Sequence, residues 1–243
     1  DLPDNRLLIR RRSRVDALSP FGAGHLSRQI DRGAPDLIHL PFPLVPLVTR
    51  RPLVVSVHDC IPLDRPGFEA WRGKLAWWLF GRAMLRRADR VIAVSQTVAD
   101  GCRRRFGAAM AAKTTVVHHG VSPHFAPCPA AAVRVFCERK RIPGNYFLYV
   151  GSDRGHKNIG VLLRMLASAD ETAMLPLVIA GMQSDTPNLR REVSRLRLEG
   201  RIHWLGEVAE ADMPVLYTGA RALLFPSLDE GFGLPMLEAM ACG

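Results

Sequence analysis

The stretch ALLFPSLDEGFGLPMLEAMACG, residues 222–243, indicates how this chain folds. It opens with a short apolar run, passes through a turn that holds Gly231 and Gly233, and continues as a helical pattern with Pro235 in its first turn. Glycine lets the backbone turn sharply and lets a ligand approach closely, and proline suits the first position of a helix. The stretch therefore predicts a strand, a tight turn and a helix in direct succession.

Short apolar runs rich in β-branched residues alternate with segments of helical period along the rest of the chain. The strand candidates are LLI at Leu7, DLIHL at Asp36, LVVSVHD at Leu53, RVIAVS at Arg90, TTVVHHG at Thr114, YFLYVGS at Tyr146, PLVIAG at Pro176, RIHWLG at Arg201 and ALLFPS at Ala222. Near-continuous apolar runs suit strands that are buried on both faces of a parallel sheet. The alternation predicts an α/β fold with doubly wound parallel sheets.

The segment Ser122–Asn145 carries four prolines and no clear strand, and a new series of strands and helices follows it. We therefore predict a linker and a domain boundary there, which gives two Rossmann-like domains, residues 1–125 and 126–243. Ligands of such sheets bind at the carboxyl ends of the strands, so we expect the two domains to face a shared cleft. The first residue is not Met, and we expect both domains to be incomplete.

The composition sets limits on the class of protein. With 243 residues, 48% of them hydrophobic, the chain is long enough for two hydrophobic cores, and its purely apolar runs are too short for a membrane span or a signal peptide. The five cysteines show no C-x-x-C spacing, which disfavours disulfides and a zinc ribbon. We expect an intracellular protein. The net charge of +10 favours anionic partners.

The turn at residues 231–234 has the features of an anion site. Its backbone N–H groups and the positive end of the following helix favour a negative ligand. Glu238 follows Pro235 by three residues and so lies on the same side of the helix as its first turn. A carboxylate there can accept both hydrogens of a vicinal diol such as a ribose.

The stretch FPSLDEGFGLPMLEAMACG resembles the donor-site signature of retaining glycosyltransferases of family four, which have the two-domain GT-B architecture. Glu230 and Glu238, eight positions apart, match the E-x7-E motif of that family. Other stretches fit in the same order: VSVHDCIPL, ADRVIAVSQTVAD, VVHHGVSPHFAP, YFLYVGSDRGHKN, LVIAG and LYTGARALLFPS. The resemblance covers the chain from about Asp36 onward.

The resemblance implies roles for individual residues. Glu230 would lie beside the transferred sugar, Glu238 would hold the nucleotide ribose, and Lys157 would bind the diphosphate. His58 would lie near the donor sugar, on the first domain. The backbone contacts to the donor would come from Gly151, Gly231, Phe232, Gly233 and Leu234.

A second cation for the diphosphate stays open at this stage. Relatives commonly read Pro-Arg-Lys-Asn before the helix, whereas this chain has Gly155 and His156 ahead of Lys157. Arg154 or a protonated His156 are the two candidates. The sequence has no DxD-like metal site, so we expect no metal and no other cofactor, with side-chain cations acting on the leaving group. His118, His119 and His124 lack the spacing of a common zinc motif.

The resemblance implies a nucleotide-sugar donor, such as GDP-mannose, and a saccharide or lipid-linked acceptor. A stripe of Trp71, Leu75, Trp78 and Leu79 beside several arginines is compatible with peripheral contact with an anionic membrane, although core packing is the more common role of such a stripe. The expected location is the cytoplasm, with possible attachment to the inner face of the cell membrane.

Two alternatives stay open on the sequence alone. A nucleotide-sugar epimerase of the GT-B fold would share the cleft, but it does not predict the E-x7-E turn in this form. A non-catalytic basic module that binds nucleic acid or anionic membrane would gather its basic residues on one face. Here Lys and Arg are spread over both halves of the chain, and we expect no nucleic acid partner.

Overall fold

A computed structural model describes residues 20–43, 48–60, 77–169, 175–181 and 187–243. The contacts between residues divide the chain into two compact units, Asp1–Val117 and His118–Gly243. The strand predicted at Leu7 and the side chains of Trp71, Leu75 and Trp78 lie outside the described residues. Within the described part of the chain, no helix is both long and apolar enough to cross a membrane.

The first unit is built on four parallel strands in the order β1-β2-β3-β4. Its elements are α1 Pro20–Arg32, β1 Ile38–Leu40, β2 Leu53–Val57, a π-helical turn Trp77–Gly81, α2 Arg82–Arg87, β3 Arg90–Ala93, α3 Gln96–Phe106, α4 Ala108–Ala111 and β4 Thr114–Val116. Leu53, Val55 and Val57 on β2 are fully buried. Their alternation shows that one face of the sheet is closed by core packing.

The second unit is also a four-stranded parallel sheet, in the order β7-β6-β5-β8. Its elements are α5 Ala130–Lys140, β5 Phe147–Val150, a 3-10 turn Gly155–Lys157, α6 Ile159–Ser168, β6 Leu177–Ala180, α7 Pro187–Arg195, a 3-10 turn Glu199–Arg201, β7 Ile202–Gly206, a 3-10 turn Glu210–Asp212, α8 Met213–Gly219, β8 Ala222–Leu223 and α9 Leu234–Ala241. All strands predicted within the described residues are therefore confirmed.

Two hydrophobic cores enclose the second sheet, one on each face. Tyr149, Leu177 and Ile179 belong to the cluster packed by α6 and α7. Their neighbours Leu148 and Val178 belong to the cluster packed by α5 and α8. Because successive strand residues point to opposite faces, a strand with apolar residues at every position is covered on both sides. This arrangement confirms the prediction of a doubly wound sheet.

The boundary between the units differs from the one predicted at residue 125, since the structure divides the chain after Val117. The segment from His118 onward goes with the second unit because its aromatic side chains pack there: the Phe125 ring lies 6.1 Å from that of Tyr217. The proline-rich stretch interpreted as a linker also contains α5, whose Phe136 and Cys137 are buried in the second core.

Strand order places a topological switch point between β5 and β8. From β5 the chain moves to β6 and β7 on one side, and β8 then joins β5 on the other side. Loops that follow two such neighbouring strands diverge, and the crevice at their carboxyl ends is where ligands of open α/β sheets bind. The loops in question are residues 151–158 and 224–233.

Candidate active site

The two loops at the switch point are tied together by hydrogen bonds. The backbone N–H of Leu228 donates to the carbonyl oxygen of His156 at 2.8 Å. The side-chain amide of Asn158 donates to the carbonyl oxygen of Pro226 at 3.1 Å. These contacts bring residues about 70 positions apart into one site. The predicted residues Gly151, Arg154 and Lys157 of one loop and Glu230 of the other therefore lie on segments that support each other.

Lys157 and Glu230, two of the predicted catalytic residues, form an ion pair in this site. Lys157 Nζ lies 2.7 Å from Glu230 Oε1, and the side chains are 19% and 21% exposed. The Lys157 ammonium also lies 5.9 Å from the centroid of the Phe225 ring, within range of a cation–π contact. A charge-assisted hydrogen bond between partly buried groups is stronger than a surface ion pair. The structure thus brings a cation and a carboxylate to the switch point.

The glycine turn that follows β8 has the backbone geometry the sequence predicts. Gly233 has a φ of +85°, and a Cβ built on it would lie 2.8 Å from Met236 Cε. The positive φ favours glycine at this position, whereas the Met236 methyl group ends a flexible side chain and could move aside. Helix α9 begins directly after it, with Pro235 in the first turn and no side chain capping the helix end. The turn and the helix end therefore present backbone to the crevice, as an anion site requires.

Gly151 lies at the carboxyl end of β5, on the other loop. Its N–H donates to the carbonyl oxygen of Ala180 on β6, and a Cβ at this position would lie 3.1 Å from the Tyr149 hydroxyl. That hydroxyl donates to the carbonyl oxygen of Ser152 at 2.7 Å. Burial, followed by the charges of Glu230 and Asp153, raises the pKa of Tyr149. The phenol therefore remains protonated, and its hydrogen bond to Ser152 holds the start of the loop in place.

Glu238 lies on α9 and is half-buried. Its Oε2 accepts a hydrogen bond of 2.7 Å from the hydroxyl of Tyr217 on α8. The family resemblance implied a role for Glu238 in the site, but nothing in the sequence indicated a role for Tyr217. The two residues are 21 positions apart on different helices, so no local pattern connects them.

Phe232 is packed by two histidines from the start of the second unit. Its ring centroid lies 5.8 Å from that of His118 and 5.2 Å from that of His119, the latter edge to face. His124 lies apart in a different setting, with Nδ1 2.8 Å from Ser122 Oγ. Across the described residues, no group of three or more His, Cys, Asp or Glu side chains is arranged to hold a metal ion.

The two candidates for a second cation lie in different surroundings. Arg154 is exposed, on the loop that carries Lys157. His156 is only 5% exposed, and its carbonyl oxygen is engaged by the loop contact to Leu228. Burial disfavours a charged side chain. The structure therefore favours Arg154 over His156 for contact with an anion.

His58 belongs to the first unit and follows β2. Its Nε2 lies 2.9 Å from the carbonyl oxygen of Pro41. A carbonyl can only accept, so Nε2 carries the proton of this bond. Ser95, two residues after β3, accepts a hydrogen bond of 3.2 Å from the N–H of Val98 and caps α3.

Two family models match nearly the whole chain. The model described as Glycosyltransferase Family 4 matches residues 4–125, and the model described as Glycosyl transferases group 1 matches residues 138–243. The fold and the matches define the chain as a glycosyltransferase of the GT-B class. More specifically, it belongs to glycosyltransferase family four, and mannosyltransferases are among the proteins it resembles.

Similar proteins support that placement. The chain is 29% identical over 197 residues to the O-antigen chain mannosyltransferase RfbU of Salmonella typhimurium, covering 81% of this chain and 51% of that protein. It is 38% identical over 118 residues to the O-antigen chain mannosyltransferase B of Escherichia coli, covering 47% of this chain and 31% of that protein. The chain thus spans about half, or less, of the length of these relatives.

Solved structures confirm the fold. Anabaena Alr3699/HepE in complex with UDP and glucose matches with a TM-score of 0.71 and 21% identity, covering 90% of this chain and 60% of that chain. Sucrose-phosphate synthase from Thermosynechococcus elongatus matches with a TM-score of 0.74 and 20% identity, covering 92% of this chain and 59% of that chain. At this level of identity the likeness concerns the fold alone.

Proposed function

We propose that the second unit binds a nucleotide-sugar and that the protein transfers the sugar, a hexose, to an acceptor hydroxyl with retention and without a metal ion. The observation that carries the proposal is the Lys157–Glu230 pair at the switch point, beside a glycine turn that leads into the helix of Glu238. Together these groups supply a cation, a carboxylate paired with it and a second carboxylate eight positions further along the chain, on the helix that follows.

The cation serves the leaving group. Breaking the bond between the sugar and the diphosphate develops negative charge on the departing oxygen, and a fixed cation stabilises that charge. Lys157 is held at the crevice by Glu230 and by the Phe225 ring. Donor binding would transfer the ammonium from the carboxylate to the diphosphate, with the exposed Arg154 as the second cation.

Glu230 serves the sugar once Lys157 has turned to the diphosphate. The anomeric carbon gains positive charge as its bond to the diphosphate breaks, and a nearby carboxylate stabilises it. In the net reaction the acceptor oxygen bonds to that carbon, and the acceptor proton leaves with the nucleoside diphosphate. His58 of the first unit is our candidate for contact with the donor sugar.

The names of the relatives favour a mannosyl donor and a surface polysaccharide acceptor. Several of them are O-antigen chain mannosyltransferases. We therefore propose GDP-mannose as the first donor to test, and a saccharide or lipid-linked saccharide as the acceptor. A uridine nucleotide is the alternative donor, since the solved structure of Alr3699/HepE holds UDP and glucose.

The test is calorimetric titration of the full-length protein with GDP, UDP, GDP-mannose and UDP-glucose in the presence of a chelator. Binding of one nucleotide family should survive the chelator and weaken by about thirtyfold or more in Lys157→Ala, because a charge-assisted contact to the diphosphate is lost. Glu238→Ala should weaken binding as well. Absence of binding by a folded protein would overturn the proposal and favour the basic-module alternative.

Lys113→Ala is the matched control for Lys157→Ala. Lys113 belongs to the first unit, and its ammonium donates to the carbonyl oxygens of Arg86 and Ala88 at 2.9 and 2.7 Å. Its loss should lower stability while leaving nucleotide affinity unchanged. Equal weakening of binding in both variants would show that the effect of Lys157→Ala is structural.

Peripheral contact with an anionic membrane is a further part of the proposal. Leu79 is 46% exposed, beside Arg82 and the exposed Arg86 on α2. An apolar side chain beside arginines can lie at a membrane surface. Sedimentation with vesicles of phosphatidylglycerol, compared with vesicles of phosphatidylcholine, tests it. Equal binding to both would contradict an electrostatic contact.

A further inference from the structure

Tyr217 is a buried residue whose only polar atom is directed at the site. It lies on α8 and is 5% exposed, within the core that closes one face of the second sheet. Its hydroxyl donates to Oε2 of Glu238 at 2.7 Å. The ring is therefore held by the core while the hydroxyl reaches a half-buried carboxylate on the neighbouring helix.

We propose that Tyr217 is a positioning residue for nucleotide binding, which fixes the Glu238 carboxylate in the orientation that accepts a ribose diol. The inference rests on the proposed role of Glu238 in binding the donor. Tyr217 itself would not touch the ribose, and it acts through the carboxylate alone.

A glutamate side chain on a helix has three rotatable bonds, and ordering it on binding costs free energy. A hydrogen bond to one oxygen removes most of that freedom before the ligand arrives. Oε1 then remains for one ribose hydroxyl, and Oε2 keeps a second lone pair for the other. The carboxylate is in this way oriented, before binding, to accept hydrogen bonds from two adjacent hydroxyl groups.

A second contact joins α8 to the residue that follows α9. Thr218, the neighbour of Tyr217, has its Oγ1 2.9 Å from the carbonyl oxygen of Pro214 within α8 and 3.3 Å from that of Cys242, the residue that follows α9. The same Oγ1 accepts the N–H of Cys128 at 3.1 Å. Adjacent residues of α8 therefore lie against α9 at Glu238 and against its C-cap at Cys242.

The hydroxyl of Tyr217 remains a donor at any physiological pH. Burial, followed by the hydrogen bond to Glu238 and the charge of that carboxylate, raises the pKa of the phenol. A protonated phenol donates a hydrogen bond to the carboxylate, whereas a phenolate would repel it. The geometry therefore persists across the range in which the enzyme would work.

The experiment compares ribose with deoxyribose. The full-length protein is titrated with GDP and 2′-deoxy-GDP, and with UDP and 2′-deoxy-UDP, and the ratio of dissociation constants within the tighter pair is the readout. A hydrogen bond to a charged group predicts a preference of roughly tenfold or more for the ribonucleotide in the native protein. Tyr217→Phe should reduce that preference by about threefold or more, because the carboxylate must then be ordered on binding.

Tyr146→Phe is the matched control. Tyr146 lies fully buried in the same core, and its hydroxyl donates to the carbonyl oxygen of Leu216 at 2.7 Å. Both variants remove one buried hydroxyl next to the same turn of α8, but only Tyr217→Phe releases Glu238. The preference for ribose should therefore be unchanged in Tyr146→Phe, whatever its stability.

Glu238→Gln separates this inference from the proposed function. Loss of the ribose preference in Glu238→Gln together with its retention in Tyr217→Phe would overturn the positioning role alone. Retention of the preference in Glu238→Gln would overturn the ribose role of Glu238 and the inference with it. Should Tyr217→Phe fail to fold, a crystal structure of the native protein with the bound nucleotide decides: a Tyr217 hydroxyl turned away from Glu238 would overturn the inference.

Discussion

The two units each contain a charged pair near a strand end, and the pairs are built differently. In the first unit Arg87 and Asp89 lie 3.3 Å apart. The guanidinium also donates to the carbonyl oxygens of Thr49 and Arg51, and Asp89 accepts the backbone N–H of Leu53 at 2.8 Å. This pair joins two segments of the chain, residues 49–53 and 87–89, through the backbone of the first.

The pair in the second unit is bonded from side chain to side chain. Lys157 and Glu230 lie 2.7 Å apart, and among the described residues the one hydrogen bond that their side chains make is to each other. A ligand can replace one member of such a pair without breaking the backbone structure. The comparison teaches that an ion pair bonded to backbone groups stabilises the fold. An ion pair bonded only between side chains leaves its charged groups available to a ligand.

Glu230→Gln gives the largest expected effect, on catalysis. The variant keeps the shape of the side chain but removes the charge that would stabilise the reacting sugar, so the rate of transfer should fall by about a hundredfold or more. Affinity for the nucleoside diphosphate should rise, because Lys157 no longer has a competing carboxylate. Steady-state kinetics and calorimetry measure the two effects.

Glu192→Gln is the control for this prediction. Glu192 forms an ion pair of 2.6 Å with Arg195 on the exposed face of α7, and its loss should change neither quantity. Weaker diphosphate binding in Glu230→Gln, with normal transfer, would contradict the assigned roles.

Arg87→Ala should affect stability and leave the site intact. Three of its N–H groups donate to backbone carbonyl oxygens, at 2.9, 2.9 and 3.3 Å. Their loss should lower the free energy of unfolding by about 2 kcal/mol, measured by denaturant titration. Nucleotide affinity should be unchanged. Arg195→Ala, which removes only a surface contact, should give no measurable change in stability.

Asp89→Asn gives the smallest effect, and it depends on pH. The backbone N–H of Leu53 and then Arg87 hold the pKa of Asp89 below its usual 3.8. A lowered pKa in the folded state stabilises the fold above pH 3.8, and that contribution is lost as the pH falls through the folded-state pKa. At neutral pH the variant should be less stable by about 0.5 kcal/mol, since the group is exposed and screened.

The pH dependence provides the check on that prediction. The difference in unfolding free energy between the native protein and Asp89→Asn should shrink as the pH falls below 3.8. A difference that stays constant through this range would mean that the carboxylate charge contributes nothing.

The strands were predictable because each is an apolar run bounded by turn residues, as in LVVSVHD and PLVIAG. The strand order β7-β6-β5-β8 could not be predicted, because the pairing of strands depends on contacts between distant segments of the chain. Helix α5 was missed within a proline-rich stretch because its apolar face is narrow, with Phe136 and Cys137 as its buried residues.

The contacts within the candidate site could not be predicted from the sequence. The family resemblance implied that Lys157, Glu230 and Glu238 lie in one region, and the structure shows that the first two are paired. That pairing joins side chains 73 positions apart, and the Tyr217–Glu238 bond joins two helices. Neither depends on local propensity, so a sequence pattern could not reveal them.

The Lys157–Glu230 pair has a consequence for selectivity among anions. The chain carries a net charge of +10, and an unpaired lysine in a crevice would attract inorganic phosphate and other small anions. With Glu230 already bound to Lys157, the resting pair is electrically neutral. A small anion gains too little to displace the carboxylate, whereas a nucleotide-sugar adds the contacts of its base, ribose and hexose. We therefore expect millimolar phosphate to leave the affinity of the protein for its donor unchanged.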